Sequence, residues 1–338
     1  PAAEVAIIPS EAAYDSLWLE VAERLCTEAG FSLLPLGMPP EEAALRAIRG
    51  GEADPAAPGD KRGIAAAVWA ASCKDGATTV ALNAALTIAR QRPDVSVGLL
   101  DLNLKNPELR LFLRGADASR TNVPLRPKLQ TGAVGAEELA LACASVRKLP
   151  NLRILYGSRR RDTACDVSAE MMQTLLAAAR EAFDITIMDL STFPDNAATV
   201  CGVRGADVRW LVAGCGNPSY LWNWSEWFEC YWKLCGLKPE DVELVLNRWD
   251  GTGEHPEKAA HRLGIRFAGA VPAVPATAAL RACEEGRPFI ELPQAGEFAA
   301  GIHRLAGRLA EAAGCGHWPE LVPARRRPSL VSLLSGLF

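Results

Sequence analysis

The feature that most constrains this chain is a succession of short apolar runs, separated by stretches with helical spacing, that begins at Ile64 and continues for about two hundred residues. The runs Ile64–Ala71, Val95–Asp101, Leu152–Tyr156, Ile185–Asp189, Val208–Ala213, Val242–Asn247 and Ile265–Val271 have the length and side chains of strands. Apolar runs without polar alternation mark strands covered on both faces, and strands alternating with helices build a mostly parallel, doubly wound sheet. The expected class is α/β. Ligands in such sheets bind beyond the carboxyl ends of the strands, which directs attention to Ser72–Thr79, Asp101–Pro107, Asp189–Pro194, Asn247–Asp250 and Val271–Pro275.

Residues 1–49 read as a separate small βαβα unit, with strands at Val5–Pro9 and Phe31–Leu36 and helices at Ser16–Gly30 and Pro40–Arg49. The stretch GGEADPAAPGDKRG, residues 50–63, concentrates Gly, Pro, Ala and charge and reads as a linker. Residues 64–314 form the principal domain and 315–338 a tail.

The formal net charge of -4 carries no general basic excess, so no sequence-specific nucleic-acid partner is expected. No apolar run approaches the roughly 20 residues that span a bilayer, and no basic, then hydrophobic, signal segment opens the chain. A cytoplasmic protein is expected. The ten cysteines include no C-x-x-C pair, and the four histidines no H-x-x-x-H arrangement, which argues against zinc and histidine-borne metal catalysis.

A phosphate loop needs small residues that let backbone N–H groups converge, a helix N-terminus behind them, and a Ser or Thr hydroxyl for magnesium. Ser72-Cys73-Lys74-Asp75-Gly76-Ala77-Thr78-Thr79, between an apolar run and a helical stretch reaching Arg90, supplies part of this. Against the deviant loop K-G-G-x-G-K-[ST]-T, Gly76 takes the last glycine and Thr78 the magnesium ligand, while Ser72 and Ala77 replace both lysines. Taken alone, CKDGATT reads equally well as a helix entry capped by Asp75 and Thr78.

With its surroundings, the segment resembles the MinD/ParA-like deviant-Walker ATPases, over about Ile64 to Leu309, and within them the TadZ/CpaE pilus-localisation branch, whose loops often end G-x-G-[AT]-[ST]-T. LLDLNLKNPELRLFL resembles the family's second-strand motif: Asp101 retains the carboxylate that supports magnesium, and Asn103 replaces the one that positions the attacking water. FDITIMDLS resembles the Walker B strand, placing Asp189 on the magnesium's outer shell. VELVLNRWD resembles the strand end whose Asn reads adenine, here Asn247, followed by Arg248. LGIRFAGAVPAVPATAALRACEEGRPFIEL resembles the run that lines the base pocket with Val271, Pro272 and Ala273.

The resemblance implies ATP and Mg2+ bound by Lys74, Asp75, Gly76, Ala77, Thr78, Thr79, Asp189, Asn247, Arg248 and the 271–273 loop. Thr78, Asp101 and Asp189 are the implied metal residues, and Asp101 and Asn103 the implied catalytic ones. An amide at 103 orients water but cannot take its proton. With the loop lysines missing as well, at most a weak ATPase is expected.

The stretch Pro218–Gly236 predicts a helix whose face Leu221, Trp224, Phe228 and Tyr231 meets the sheet, with Trp222, Trp227 and Trp232 off that face. Those aromatics are either covered by the same chain or form a surface for a second subunit or a pilus or secretion protein. The tail 324–338, ARRRPSLVSLLSGLF, resembles the amphipathic C-terminal membrane-targeting helix of MinD-like proteins. It implies peripheral contact with an anionic membrane, the alternative being a tail docked on the chain or its dimer partner.

The resulting expectation is a spatial-organiser ATPase or pseudo-ATPase acting as a homodimer. The alternatives are a nucleotide-free scaffold, or an enzyme of the same fold: an amide-forming ligase, or a reductase in which Cys143, Cys165 or Cys201 would meet its partner across a dimer.

Overall fold

The computed structural model describes residues 63–113, 119–251 and 255–320. The βαβα unit expected over 1–49, the linker apart from Gly63, and the membrane-targeting segment 324–338 lie outside the described residues.

Strand β1 (Ile64–Ala70) shows how this sequence makes a sheet. Its alternate residues Ala65, Ala67 and Trp69 enter one hydrophobic core, and Ala66, Val68 and Ala70 the other, so one apolar run anchors two layers. Strands β2 (Val97–Asp101) and β5 (Ile185–Asp189) are likewise buried at every residue. With β3 (Ala144–Val146), β4 (Leu149–Leu155), β6 (Val208–Gly214), β7 (Glu243–Trp249) and β8 (Arg266–Pro272) they form one eight-stranded sheet in the order β3-β4-β2-β5-β1-β6-β7-β8. Every pairing is parallel except β3 with β4. The seven expected strands are all present. The edge strand β3, only three residues long, has too little pattern to be read from sequence.

Helix α1 (Ala77–Gln91) is buried almost all round, because one side lies on the sheet and the other meets the long helix α10 (Gly296–Ala312). Between them in sequence run α2 (Leu109–Phe112), α3 (Arg126–Gln130), α4 (Ala136–Ala142), α5 (Ala169–Ala182), α6 (Ala197–Arg204), α7 (Ser219–Trp227), α8 (Pro256–Leu263) and α9 (Ala276–Glu285). Helix α5 packs against α4, α3 and α6 on the face opposite α1.

One expected helix is corrected. The helix over Pro218–Gly236 is α-helical only through Trp227, then widens to a π-helical turn over Phe228–Trp232, where Lys233 N–H donates to the Phe228 carbonyl five residues back. An extra residue per turn advances the face by about 100°, which carries Trp232 into the core instead of away from it. Trp232 is 1% exposed and packs on Trp69, with ring centroids 5.9 Å apart. Trp224 and Phe228 are buried as expected, Leu221, Trp227 and Tyr231 are half-buried, and Trp222 stands out at 74% exposure.

At the other end of the core, the Glu243 carboxylate is buried and accepts from Trp210 Nε1 at 3.2 Å and from Arg308 at 3.0 Å, with Arg266 at 3.3 Å. Glu243→Ala is expected to cost about 1–3 kcal/mol, because the fully buried Trp210 indole N–H loses its acceptor. Equilibrium denaturation of the variant against Trp210→Phe/Glu243→Ala measures how much of that loss is the orphaned donor.

Past α10 the chain folds back on it: Trp318 donates from Nε1 to His303 Nδ1 at 3.3 Å, and Arg92 donates to the Cys315 carbonyl. Among the described residues no helix is long and apolar enough to cross a membrane.

Candidate functional site

The site lies where β1, β5 and β2 end side by side. Register pairs Val68 with Asp189 and Asp189 with Asp101, so the two carboxylates leave adjacent strands at the same level, next to the loop that follows β1. This juxtaposition of Asp101, Asp189 and the 72–79 loop was expected from sequence. Thr78 sits in the first turn of α1, beside Asp189.

Both carboxylates are buried, Asp101 at 1% exposure and Asp189 at 0%. Burial pushes the Asp101 carboxyl up to about 7, against the opposing N–H groups of Gly157 and Leu109 and the charge of Arg110. Burial, and then the charge of Asp101, hold Asp189 well above the usual carboxylate range; the neighbouring Thr78 hydroxyl pulls the other way. Asp101 Oδ1 and both oxygens of Asp189 have no hydrogen-bond partner of good geometry. Buried oxygens are ordinarily satisfied, so three orphans at one point mark a place for a cation or proton. Two carboxylates and one hydroxyl are a hard-oxygen set that fits magnesium, which keeps water and phosphate oxygens for its remaining positions. Among the described residues no group of three or more His, Cys, Asp and Glu side chains could hold a metal alone, so a magnesium here needs a ligand's oxygens.

The loop itself is held by side chains from the turn after β6, from α7 and from β7. Asn223 Nδ2 donates to the Ala71 carbonyl at 2.9 Å and to Ser72 Oγ at 2.8 Å. Asn217 Nδ2 donates to Asp75 Oδ1 at 3.2 Å, and Asn247 Nδ2 to the Asp75 carbonyl at 2.8 Å. Arg248, itself in the left-handed region at φ 59°, donates to the Lys74 carbonyl. Asn217 and Asn223 escaped the sequence reading, since an amide that ties one loop to another carries no spacing signature.

Within the loop, Asp75 turns away from solvent, 2% exposed, and its Oδ2 accepts from Ser72 N–H at 3.0 Å. Burial raises its pKa, opposed by Asn217, Gly214, Ser72 and Arg248. Ser72, where the resemblance would put a lysine, is buried and occupied by Asn223. Lys74 is in the left-handed region at φ 69° and its exposed amine meets Glu108 at 2.5 Å. Gly76 precedes α1 at φ 101°, packed so close to Asn247 that an added Cβ would lie 2.2 Å from Nδ2. Ala77 is buried; Thr79 is half-buried and its carbonyl accepts from Asn83.

Asn103 Oδ1 accepts from Asn106 N–H at 3.2 Å, shaping the turn after β2. On the far side, Asn247 pairs in register with Val271 and Trp249 with Pro272, while Ala273 N–H donates to the Trp249 carbonyl, so the expected base-side residues meet at the ends of β7 and β8. Val271 itself is wholly buried, Pro272 half-buried and Ala273 exposed. Of the cysteines, burial pushes Cys143 up to about 12 and Cys201 up to about 11, which leaves neither as a thiolate near neutral pH; Cys165 is exposed.

This fold is that of solved MinD/ParA-type ATPases. A ParA family ATPase from Chlorobium tepidum matches with a TM-score of 0.62 at 17% identity, over 73% of this chain and 98% of its own. The septum site-determining protein MinD from Pyrococcus horikoshii, complexed with Mg-ADP, matches at 0.56 and 18% identity, over 75% and 98%. A variant of McdA from Cyanothece, in complex with ATP, matches at 0.56 and 16% identity, over 77% and 99%. No family model matches the chain, and no curated protein sequence does.

Proposed function

We propose that this chain is a nucleotide-binding spatial organiser of the MinD/ParA type, holding ATP and magnesium beyond the ends of β1, β2 and β5 and working as a homodimer. The observation that carries the reading is the buried pair Asp101 and Asp189, with three unpartnered oxygens facing a strand–loop–helix whose Thr78 hydroxyl is alongside. The chemistry that magnesium would supply there is neutralisation of the two carboxylates and polarisation of a phosphate group. Thr78, Asp101 and Asp189 are the residues that would hold it, with the 74–79 backbone around the phosphates and Asn247, Arg248 and the 271–273 loop towards the base.

The finer reading is of a TadZ/CpaE-like protein that positions pilus or secretion machinery at a membrane through the tail 324–338, with exposed Trp222 on the partner surface. Hydrolysis in this reading is slow. Ala77 brings no lysine charge to the transition state, and Asn103 cannot accept the water's proton. A second reading, a nucleotide-free scaffold, is favoured by one observation: the loop is braced by the chain's own Asn217, Asn223 and Asn247 and carries the buried Asp75.

The two readings separate in a thermal-shift titration. Millimolar Mg·ATP is expected to raise the melting temperature of the purified chain. Protection of about 3 kcal/mol accompanies a ligand at one hundred times its Kd, and it should fall in Asp189→Asn. No shift at millimolar Mg·ATP would leave the scaffold.

A further inference from the structure

The loop lacks both lysines, yet a second source of positive charge stands at the same end of the sheet. Strand β4 runs parallel to β2 with Leu155 level with Leu100, so the segment after β4 emerges beside Asp101. Gly157 makes the approach close: a Cβ there would sit 2.4 Å from Pro107 Cβ and 3.1 Å from Asp101 Cγ. That contact places the turn Ser158–Arg161 against the segment Pro107–Arg110, and the same segment reaches the phosphate loop through Glu108 and Lys74.

Three consecutive arginines occupy this turn, and they are not equivalent. Arg160 is held by Asp162, with nitrogen to oxygen at 2.6 Å. Its neighbours Arg159 and Arg161 are exposed, and among the described residues neither they nor Arg110 forms an ion pair. The turn is braced by its own backbone: Arg160 N–H donates to Ser158 Oγ at 3.0 Å and Arg161 N–H to the Arg159 carbonyl at 3.1 Å. Behind it, Arg126 donates to the Thr163 carbonyl at 2.9 Å. Arg110 lies close enough to both to be affected by them. Its pKa is lowered first by desolvation and then by the charge of Arg159, with Arg161 adding to the effect and Asp101 opposing it. Guanidinium groups gathered with only Asp101 to oppose their charge repel one another, a cost that a shared anion relieves.

We propose that Arg110, Arg159 and Arg161 form a polyphosphate-binding site that grips the terminal phosphates of a bound nucleotide, in place of the lysines the loop has lost. The inference rests on the nucleotide reading above for its natural ligand. Contact with the Asp101 side, and not with Asn247 and the 271–273 loop, assigns the site to the phosphate end of the ligand. Arg supplies paired N–H donors that match phosphate oxygens, so each lost residue is expected to cost roughly tenfold in affinity.

The test uses the full chain and three probes: Mg·ATP, Mg·AMP and sodium tripolyphosphate without metal. Arg159→Ala/Arg161→Ala, at two exposed positions, is expected to keep the native melting temperature. It should weaken tripolyphosphate and Mg·ATP by roughly one hundredfold, leave Mg·AMP unchanged, and reduce the salt dependence of binding. Arginine-dependent tripolyphosphate binding without any binding of Mg·ATP would support this site and overturn the nucleotide reading. Mg·ATP binding that is equally tight in wild type and variant would overturn this site and keep that reading. Binding of neither probe by wild type would overturn both.

Discussion

Replacing Gly76 with alanine is expected to cost about 2–4 kcal/mol of stability and to abolish protection by Mg·ATP. The residue stands at φ 101° at the entrance of α1, in the region that L-residues occupy at a cost of roughly 1–2 kcal/mol. The larger penalty is the collision: the new Cβ would lie 2.2 Å from Asn247 Nδ2, which now donates to the Asp75 carbonyl. Moving that amide orphans a buried donor, worth about 1–3 kcal/mol more. Asn247 is also the proposed adenine-reading residue, so one displacement damages both ends of the site. Gly132→Ala is the control. Gly132 is left-handed too, at φ 67°, but nothing lies within 4 Å of its Cβ, so only the backbone penalty remains. Equal losses in the two variants, measured by urea denaturation, would show that the contact with Asn247 carries no energy.

The second large effect is a pH dependence that Asp101→Asn removes. The folded Asp101 carboxyl titrates at about 7, against 3.8 ordinarily, because burial disfavours its charged form. Between those values the folded chain binds a proton at Asp101 that the unfolded chain has released, so the contribution of Asp101 to stability falls as pH rises from about 4 to 7 and is level above. The slope reaches about 1.4 kcal/mol per pH unit for each such carboxyl, and Asp189 shifts the same way. Asp101→Asn, which keeps the shape and loses the charge, should therefore be more stable than wild type at pH 8 by roughly 2–4 kcal/mol. The two should converge near pH 4. Mg·ATP is expected to oppose the wild-type loss, since a cation favours the ionised pair, and to do little for the variant. Wild-type stability that is flat or rising between pH 5 and 7 would contradict the assignment of the pair as buried and unpartnered.

The two variants probe features of different origin. The strands were legible because parallel strands buried on both faces must be almost wholly apolar, and Ile185–Asp189 was bounded correctly at both ends. The strand-end carboxylates Asp101 and Asp189 were legible for the same reason, since a charged residue closing an apolar run falls where such a sheet opens to ligand. The aromatic helix was legible only in part. A 3.6-residue period predicts a single face throughout, and the π-helical turn at Phe228–Trp232 changes that face without leaving a mark in local composition.

Sequence by itself determined the doubly wound sheet and the place of the loop between β1 and α1 at its carboxyl end, because these follow from local periodicity and from the chemistry of strand ends. Only the tertiary structure decided what each polar side chain does. Asn217 and Asn223 brace the loop from 142 and 151 residues away, and Asp75 is folded beneath it. Gly157 comes against Asp101, and Arg159 and Arg161 near Arg110, because β4 pairs with β2, which no spacing along the chain expresses. Hydrogen bonds and charge act over a few ångströms of space, and it is the sheet order, not the sequence order, that sets which residues are that close.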